Sequence, residues 1–458
     1  MKALESDWAP VLAALEHGLL QRDVAVRALL LGLLAGEHVL LIGPPGTAKS
    51  ALARRVHRLM PGARWFERLL TRFSVPEELF GPLSLQALEH DRYERLTEGY
   101  LPQAEVVFLD EVFKANSAIL NTLLGVLNER RFDNGCQRQP VPLRCLIGAS
   151  NEVPQDDSLH AFFDRFLLRV PVHPVDDAHF AALLHPDAEA PLTDDAACAA
   201  LSPESLSALQ RRADQVALQP ALLALLHEAR HTDSAQVVSD RRWRQIARLL
   251  RVQAAARGSA LADAPDAWCL PLLLGQTSDS VERWSAWCLP RVGRCAPLPT
   301  DGLERACSAF EQQLEIEQRA PSEALDDSAG KVALARAMGG ASAHDSEPLR
   351  IASDRARRRY SALHIATRVA QVDELGHTVR QLQQQADADA AAVLPALAQH
   401  PFWPPSWRTR VQAAHQERSA TLADWLHRID AVRHGFATLP ERDPTTQDSA
   451  PAPITWGT

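Results

Sequence analysis

Short runs of apolar residues are the clearest hydrophobic pattern in the first part of the chain. Mainly apolar runs lie at 39–42, 106–109 and 143–149, and a polar or glycine residue follows each of them. Continuous apolar runs of this length are typical of strands that are buried on both faces of a parallel sheet. Because a helical pattern at 51–60 follows the first run, we predict an α/β domain whose parallel sheet is flanked by helices.

The carboxyl-terminal part of the chain has the three- and four-residue apolar spacing of long helices. We predict one long helix at 347–388 and a second at 408–437, separated by a proline-rich break at 401–405. With a shorter helix at 304–316, these would form a three-helix bundle in which the long helices are antiparallel. The apolar positions that support the prediction are Ile365, Val369, Val372, Leu375, Val379, Leu382, Leu422, Leu426, Ile429, Val432 and Phe436.

A glycine-rich segment directly follows the first predicted strand and precedes a helix, which is the context of a phosphate-binding P-loop. Its residues are Gly43, Pro44, Pro45, Gly46, Thr47, Ala48, Lys49 and Ser50. Backbone N–H groups of such a loop bind phosphate, the lysine contacts the β- and γ-phosphates, and the serine hydroxyl binds Mg²⁺. Ala48 stands where glycine is usual, and we expect it to have helical backbone angles. The pattern predicts ATP and Mg²⁺ as ligands.

Two carboxylates end the second predicted strand. Since ligands collect at the carboxyl ends of strands in open α/β sheets, we expect Asp110 to hold Mg²⁺, directly or through water. Glu111 would polarise the attacking water in ATP hydrolysis.

Further polar residues follow at positions that suit phosphate chemistry. Asn151 comes after the third strand and would orient water, although capping of the strand end is the alternative. Arg165 lies among bulky apolar residues and would contact a neighbouring subunit's γ-phosphate, the alternative being a surface pair with Asp164. Arg241, at the start of a predicted helix, would sense the nucleotide of its own subunit, with Arg242 as the alternative.

Several segments together resemble the MoxR family of AAA+ ATPases, with the RavA-like branch as the nearest match. They are 71–83, 99–104, 108–116 and 120–130, and the resemblance extends over about residues 5–260. It implies a homo-oligomeric ring, usually a hexamer, that remodels protein clients with a von Willebrand factor A domain partner. It also implies an insert at about 77–102 and a hairpin that turns at Asp133-Asn134-Gly135.

The resemblance and the helical patterns together predict the domain organisation. We expect an α/β nucleotide-binding domain at 1–174, an all-α lid at 175–260, a helical domain at 261–440 and a disordered tail at 441–458. RavA-like proteins carry a β-containing insert that binds lysine decarboxylase, but the linker at 319–346 has no alternating strand pattern. We therefore expect no binding to lysine decarboxylase. Because the predicted core and lid are complete by about residue 260, we also expect ATPase activity in a chain ending near residue 300.

The composition of the chain argues against several classes of protein. The chain of 458 residues has a net charge of −9, which argues against nonspecific nucleic-acid binding. No apolar run approaches the roughly 20 residues of a membrane helix, and the acidic residues near the start do not suit a signal peptide. Seven cysteines without metal-site spacing suit a reducing compartment. We expect a cytoplasmic ATPase; the alternatives are a slow-turnover nucleotide-switched scaffold and a nucleic-acid motor.

Overall fold

The computed structural model describes residues 8–154, 156–185, 201–232, 238–320, 359–442 and 450–454. The chain divides into two compact units. The first comprises Met1–Arg294 and Val393–Val411, and the second comprises Cys295–Ala392 and Gln412–Thr458. This division differs from the expected one, because the first unit continues past 261 and also contains the connection between the two long helices. Beyond Ala320, the predicted linker lies outside the described residues.

The main sheet of the first unit has five parallel strands in the order β2-β3-β6-β1-β7. The strands of this unit are β1 (His38–Ile42), β2 (Trp65–Leu69), β3 (Val106–Asp110), β4 (Arg131–Asn134), β5 (Gln137–Pro140), β6 (Cys145–Ser150), β7 (Phe166–Pro171), β8 (Ala217–Leu218) and β9 (Leu261–Ala262). Strands β1 and β6 are buried along their whole length, as is β3 up to Leu109. This confirms the predicted buried parallel sheet; β2 and β7 are strands that the apolar runs had not indicated.

Helices surround this sheet and continue beyond it. They are α1 (Trp8–Glu16), α2 (Asp23–Ala35), α3 (Lys49–His57), α4 (Pro76–Phe80), α5 (Leu85–Leu88), α6 (Ser117–Glu129), α7 (Asp157–Phe163), α8 (Phe180–Leu183), α9 (Pro203–Ala213), α10 (Pro220–Arg230), α11 (Asp240–Ala256), α12 (Leu270–Leu274) and α13 (Ser278–Val292). Helix α2 is buried from Ala25 to Ala35 because it packs against β1, β7 and α11. The predicted lid is mainly helical, but β8 within it pairs in parallel with β9, which follows the predicted end of the lid at residue 260.

The predicted hairpin is present as the antiparallel pair β4–β5, and Gly135 at its turn has a φ of 62°. It is bound to the segment between α5 and β3, where the sequence predicted an insert. The side chain of Asn134 accepts from Arg95 N at 2.7 Å and donates to Arg95 O at 3.1 Å. These two bonds fix the hairpin and the insert to each other.

The connection between the two long helices, residues 393–411, is here called the tip. It packs inside the first unit: Phe402 and Trp403 are 0% and 1% exposed. The ring centroids of Trp8 and Phe402 are 5.6 Å apart, and His400 Nε2 lies 3.0 Å from the buried carboxylate of Asp266. The tip is therefore part of the hydrophobic interior of the first unit.

The second unit is the predicted three-helix bundle, formed by α14 (Thr300–Arg319), α15 (Ala362–Gln399) and α16 (Pro405–Ala437) outside the tip. Its core contains apolar residues from all three helices. Part of the predicted disordered tail packs on this bundle, since Ile454 contacts the core and Arg368 donates to Ala452 O at 2.9 Å. No helix in the described part of the chain is long and apolar enough to cross a membrane.

Candidate functional site

The predicted phosphate-binding loop, the two predicted carboxylates and the predicted amide meet at one edge of the main sheet. The parallel strands β1, β3 and β6 end at Ile42, Asp110 and Ser150, so the residues that follow them lie side by side. Gly43 N donates to Ser150 O at 3.0 Å and ties the glycine-rich loop to β6. A Cβ atom on Gly43 would lie 2.1 Å from Val172 O, so this position has no room for a side chain.

Lys49 is the first residue of α3, and its side chain folds over the loop. Its Nζ donates to Gly43 O at 2.7 Å, to Pro44 O at 2.8 Å and to Asn151 Oδ1 at 3.4 Å. The residue is 7% exposed. Burial lowers the pKa of Lys49, while the nearby carboxylates of Asp110 and Glu111 act in the opposite direction. A positive charge is thus held where the loop's phosphate site is expected.

The backbone conformation of Ala48 differs from the one expected from the sequence. Its φ and ψ are 66° and 24°, so it lies in the left-handed region rather than in a right-handed helix. This conformation costs a non-glycine residue about 1–2 kcal/mol. Neighbouring bonds support the loop, since Thr47 Oγ1 donates to Pro44 O at 3.0 Å, and Gly46 also has a positive φ of 80°.

Glu111 and Asn151 are joined directly. Asn151 Nδ2 donates to Glu111 Oε1 at 2.5 Å, while Lys114 Nζ lies 3.1 Å from the other carboxylate oxygen. Glu111 has a left-handed φ of 53°, and its backbone N–H donates to Asp110 Oδ1 at 3.0 Å. Strain of this kind at a non-glycine residue is typical of functional sites. Lys49, Asn151 and Glu111 therefore form one continuous polar network.

The residues predicted to hold Mg²⁺ have suitable chemistry. Ser50 is half-buried on α3, and Asp110 ends β3 beside Lys49. Mg²⁺ prefers oxygen ligands and is usually held by one or two protein groups together with substrate phosphates. The described residues contain no group of three or more His, Cys, Asp or Glu side chains that could hold a metal ion by themselves. A hydroxyl and a carboxylate fit a metal that is shared with phosphate.

Arg22 is a loop contact that the sequence analysis missed. It is 7% exposed, and its Nε donates to Thr47 O at 3.2 Å. Beside it lies a cavity of about 600 Å³. The cavity is lined by Gln21, Arg22, Asp23, Val24, Ala25, Pro171, Val172, His173, Pro174, Asp176, Leu272, Ser278, Asp279, Val281, Glu282, Ser285, Ser406, Trp407 and Arg410. Only the fold reveals it, because these residues come from four distant segments.

Arg165 and Arg241 lie near each other, at the edge of the sheet opposite the glycine-rich loop. Arg165 precedes β7, whose first residue is paired with His38 at the start of β1. Arg241 lines a small cavity with Glu37. The pKa of Arg165 is lowered first by burial and then by the positive charge of Arg241. The five residues of β1 separate this edge from the loop, a distance of about 17 Å. Arg241 therefore lies far from the glycine-rich loop of its own chain, and the expectation that it senses the nucleotide of its own subunit stays a prediction.

Arg242, which the sequence offered as the alternative to Arg241, is buried, with 5% of its surface exposed. Its guanidinium donates to Leu273 O at 2.6 Å and to Leu167 O at 2.9 Å, and it pairs with Asp164 at 3.4 Å. Arg169, 3% exposed, pairs with the same carboxylate at 3.5 Å. Asp164, which directly precedes Arg165 in the chain, thus binds two buried arginines. The Nε of Arg165 is buried without a hydrogen-bond partner among the described residues.

A parallel five-stranded sheet with a P-loop after β1, acidic residues after β3 and an asparagine after β6 defines the AAA+ class of P-loop proteins. Residues 7–211 match a family described as the MoxR domain in the MoxR-vWA-beta-propeller ternary systems, and residues 220–287 match an AAA lid domain. These two matches confirm the predicted resemblance to the MoxR family of AAA+ ATPases over the residues that they cover. The assignment of the chain to the RavA-like branch stays a prediction.

Curated relatives cover parts of the chain. An uncharacterized protein of Methanocaldococcus jannaschii is 39% identical over 251 residues, which is 54% of this chain and 64% of that protein. A second from the same organism is 52% identical over 151 residues, covering 33% and 40%. Chaperone MoxR1 of Mycobacterium tuberculosis is 30% identical over 156 residues, again 33% and 40%. The chain thus spans less than two thirds of each of these relatives.

Proposed function

We propose that this protein binds ATP at the glycine-rich loop and hydrolyses it. The observation that carries the proposal is the network in which Asn151 contacts both Lys49 and Glu111, at 3.4 Å and 2.5 Å. A charge for the phosphates and a carboxylate for the attacking water are thereby held at fixed positions. Phosphoryl transfer depends mainly on such positioning and on charge stabilisation.

Each residue of the network has a distinct part in the proposed reaction. Lys49 exchanges its loop carbonyl partners for the β- and γ-phosphates, and its charge is supported by Asp110 and Glu111. Glu111 accepts a hydrogen bond from the attacking water and orients it towards the γ-phosphate. Asn151 holds the Glu111 carboxylate in place. Ser50 and Asp110 would hold Mg²⁺, which supplies further neutralisation of phosphate charge when it is bound.

The base and ribose of the nucleotide would occupy the cavity beside Arg22. Arg22 connects that cavity to the loop through its bond to Thr47 O at 3.2 Å. A cavity of about 600 Å³ with mixed apolar and polar walls is within the usual size range of small-molecule sites.

The position of Arg165 and Arg241 favours a ring of identical subunits. Two adjacent arginines repel each other, and the unpartnered Nε of Arg165 lacks a compensating acceptor in the described residues. A phosphate bound to a neighbouring subunit would supply that negative charge. Because the pair lies at the edge opposite its own loop, we propose that both arginines act on the adjacent subunit of a hexameric ring.

The proposed task of the ring is chaperone-like remodelling of protein partners with a von Willebrand factor A domain protein. The description of the matched MoxR family and the name of the chaperone MoxR1 support this assignment. A slow-turnover nucleotide-switched scaffold is the second candidate, because the bundle adds helical surface that phosphate chemistry does not need. Steady-state turnover with and without a von Willebrand factor A domain protein distinguishes them: partner stimulation supports the remodeller, and an unchanged slow rate supports the scaffold.

The proposal is tested by measuring ATP turnover and ATP affinity of the full chain and of Lys49→Ala. We expect the substitution to abolish binding and turnover, since it removes the charge that faces the phosphates. Arg54→Ala is the matched control, because Arg54 lies on the same helix but is an exposed partner of Glu67. Equal ATP affinity in Lys49→Ala and the wild type would contradict the proposed site.

A further inference from the structure

The tip, which begins 106 residues after the end of the matched lid at residue 287, forms one wall of the cavity beside the glycine-rich loop. Ser406, Trp407 and Arg410 line this cavity together with Arg22 and Val172. Arg22 and Val172 are themselves in contact with the loop and with β1, through Thr47 O and Ile42 O. A segment from near the carboxyl end is therefore placed beside the phosphate site.

The tip is fixed in this position by specific bonds. Ser406 N, in the first turn of α16, donates to Asp23 Oδ2 at 2.7 Å. An acidic side chain at a helix amino terminus satisfies a free N–H and interacts favourably with the helix dipole. Asp23 directly follows Arg22, so adjacent residues bind the glycine-rich loop and the start of α16.

The tip also contributes an aromatic side chain and a charged side chain to the lining of the cavity. Trp407 is 6% exposed, packs edge-to-face on Trp268 at 5.8 Å and presents its remaining surface to the cavity. Leu272 and Val281 are apolar neighbours in the same lining. At the more exposed side, Arg410 donates to Glu282 at 2.6 Å. An aromatic and aliphatic wall suits a planar base, and the polar pair suits ribose hydroxyls.

We propose that the tip is part of the nucleotide site, with Trp407 contacting the base and Arg410 contacting the ribose of a bound nucleoside triphosphate. This inference rests on the proposed function, because it takes the phosphates to lie on the glycine-rich loop. It extends the site to a segment continuous with both long helices of the bundle. Nucleotide binding and the bundle are then linked through the residues of the tip.

The experiment compares two ligands that share their phosphates but differ in the rest. Binding of ATP and of inorganic triphosphate is measured by calorimetry with the full wild-type chain, Trp407→Ala and Arg410→Gln. We expect about tenfold weaker ATP binding in Trp407→Ala, which is within the range of base–aromatic contacts. Arg410→Gln should weaken ATP about threefold, since a single charge-assisted hydrogen bond is lost. Triphosphate affinity should stay within about twofold of the wild type in both variants.

Trp425→Ala is the matched control, because Trp425 is also a buried tryptophan of α16 but packs in the core of the bundle. It should bind both ligands like the wild type. Unchanged ATP affinity in Arg410→Gln and Trp407→Ala overturns the proposal. Equal weakening of ATP and triphosphate also overturns it, because that result indicates a merely structural role. If Trp407→Ala does not fold, Arg410→Gln decides, since its side chain lies on the exposed side of the cavity.

The same binding measurements distinguish an error in the proposed function from an error in the role of the tip. If the wild type binds neither ATP nor triphosphate, the nucleotide site itself is wrong. If the wild type binds both and the two variants do as well, only the role of the tip is wrong.

Discussion

The side-chain amide of Asn151 donates a hydrogen bond of 2.5 Å to the carboxylate of Glu111, across the carboxyl ends of β6 and β3. The amide oxygen of the same residue accepts from Lys49 at 3.4 Å. One side chain therefore contacts both the group that would bind phosphate and the group that would orient water. An asparagine suits this position because its side chain can donate and accept at once.

This relationship predicts that Asn151 affects hydrolysis more than binding. Asn151→Ala should lower ATP turnover by about 10- to 100-fold, because Glu111 loses a partner that orients it. ATP affinity should change by less than about threefold, since the loop and Lys49 remain. Stopped-flow binding and steady-state phosphate release separate the two effects. A large loss of affinity with unchanged turnover would show that Asn151 mainly serves the binding of ATP.

The arginine pair predicts rescue between subunits. Arg165→Ala and Arg241→Ala should each bind ATP but hydrolyse it slowly, and arginine fingers in related reactions contribute about 10³–10⁵ in rate. Mixing either variant with Lys49→Ala subunits should restore activity at sites that combine an intact loop with a neighbour's intact arginines. Phosphate release by mixed rings, with assembly confirmed by sizing, measures this rescue. Assembled mixtures that stay inactive would rule out action on the adjacent subunit.

Arg242 is expected to be a stability determinant at the base of β7. Replacing it with methionine removes bonds to the carbonyls of Leu167 and Leu273 and leaves Asp164 with one arginine fewer. The free energy of unfolding should fall by about 1–3 kcal/mol, because the two buried carbonyls lose their donor, whereas Asp164 is 52% exposed and can be solvated. Arg244→Met, on the exposed side of the same helix, should change it by less than about 0.5 kcal/mol. Denaturant unfolding that gives equal values for the two variants would refute this role.

Replacement of Ala48 with glycine is expected to stabilise the protein. Because its φ is 66°, Ala48→Gly relieves left-handed strain that exceeds the entropic cost of glycine, and should stabilise the protein by up to about 1 kcal/mol. Ala51→Gly is the control, since Ala51 lies inside α3 and glycine there should cost about 1 kcal/mol. Thermal unfolding of both variants checks the sign. Destabilisation by Ala48→Gly would contradict the left-handed backbone at this position.

The tip changes what is expected of a shortened chain. A chain that ends at Arg294 lacks Phe402, Trp403 and His400, which are buried in the first unit. It should therefore unfold at a lower temperature than the full chain and lose ATPase activity, contrary to the expectation from the sequence alone. Circular dichroism melting and phosphate release provide the measurements. A shortened chain with the stability and turnover of the full chain would show that the tip is dispensable.

Local patterns predicted β1, β3 and β6 and the residues at their carboxyl ends, because buried parallel strands have continuous apolar sequences and the P-loop is a contiguous motif; β2 and β7 lacked such a pattern. The buried role of Arg242 could not be predicted in this way, since an amphipathic helix does not specify what its polar positions contact. The same limit applies to Arg22 and Trp407. They come together only through contacts between distant segments, and a proline-rich break such as 401–405 indicates a turn without indicating where the turn packs.

ATP hydrolysis by this protein should depend on the Glu111 carboxylate, and the decisive substitution is Glu111→Gln. This substitution keeps the shape of the side chain and removes the carboxylate that would orient water. ATP binding and phosphate release are measured in one single-turnover experiment with excess protein. We expect wild-type ATP affinity in Glu111→Gln, with phosphate release slowed by at least about 100-fold. Phosphate release at the wild-type rate would show that hydrolysis does not depend on the Glu111 carboxylate.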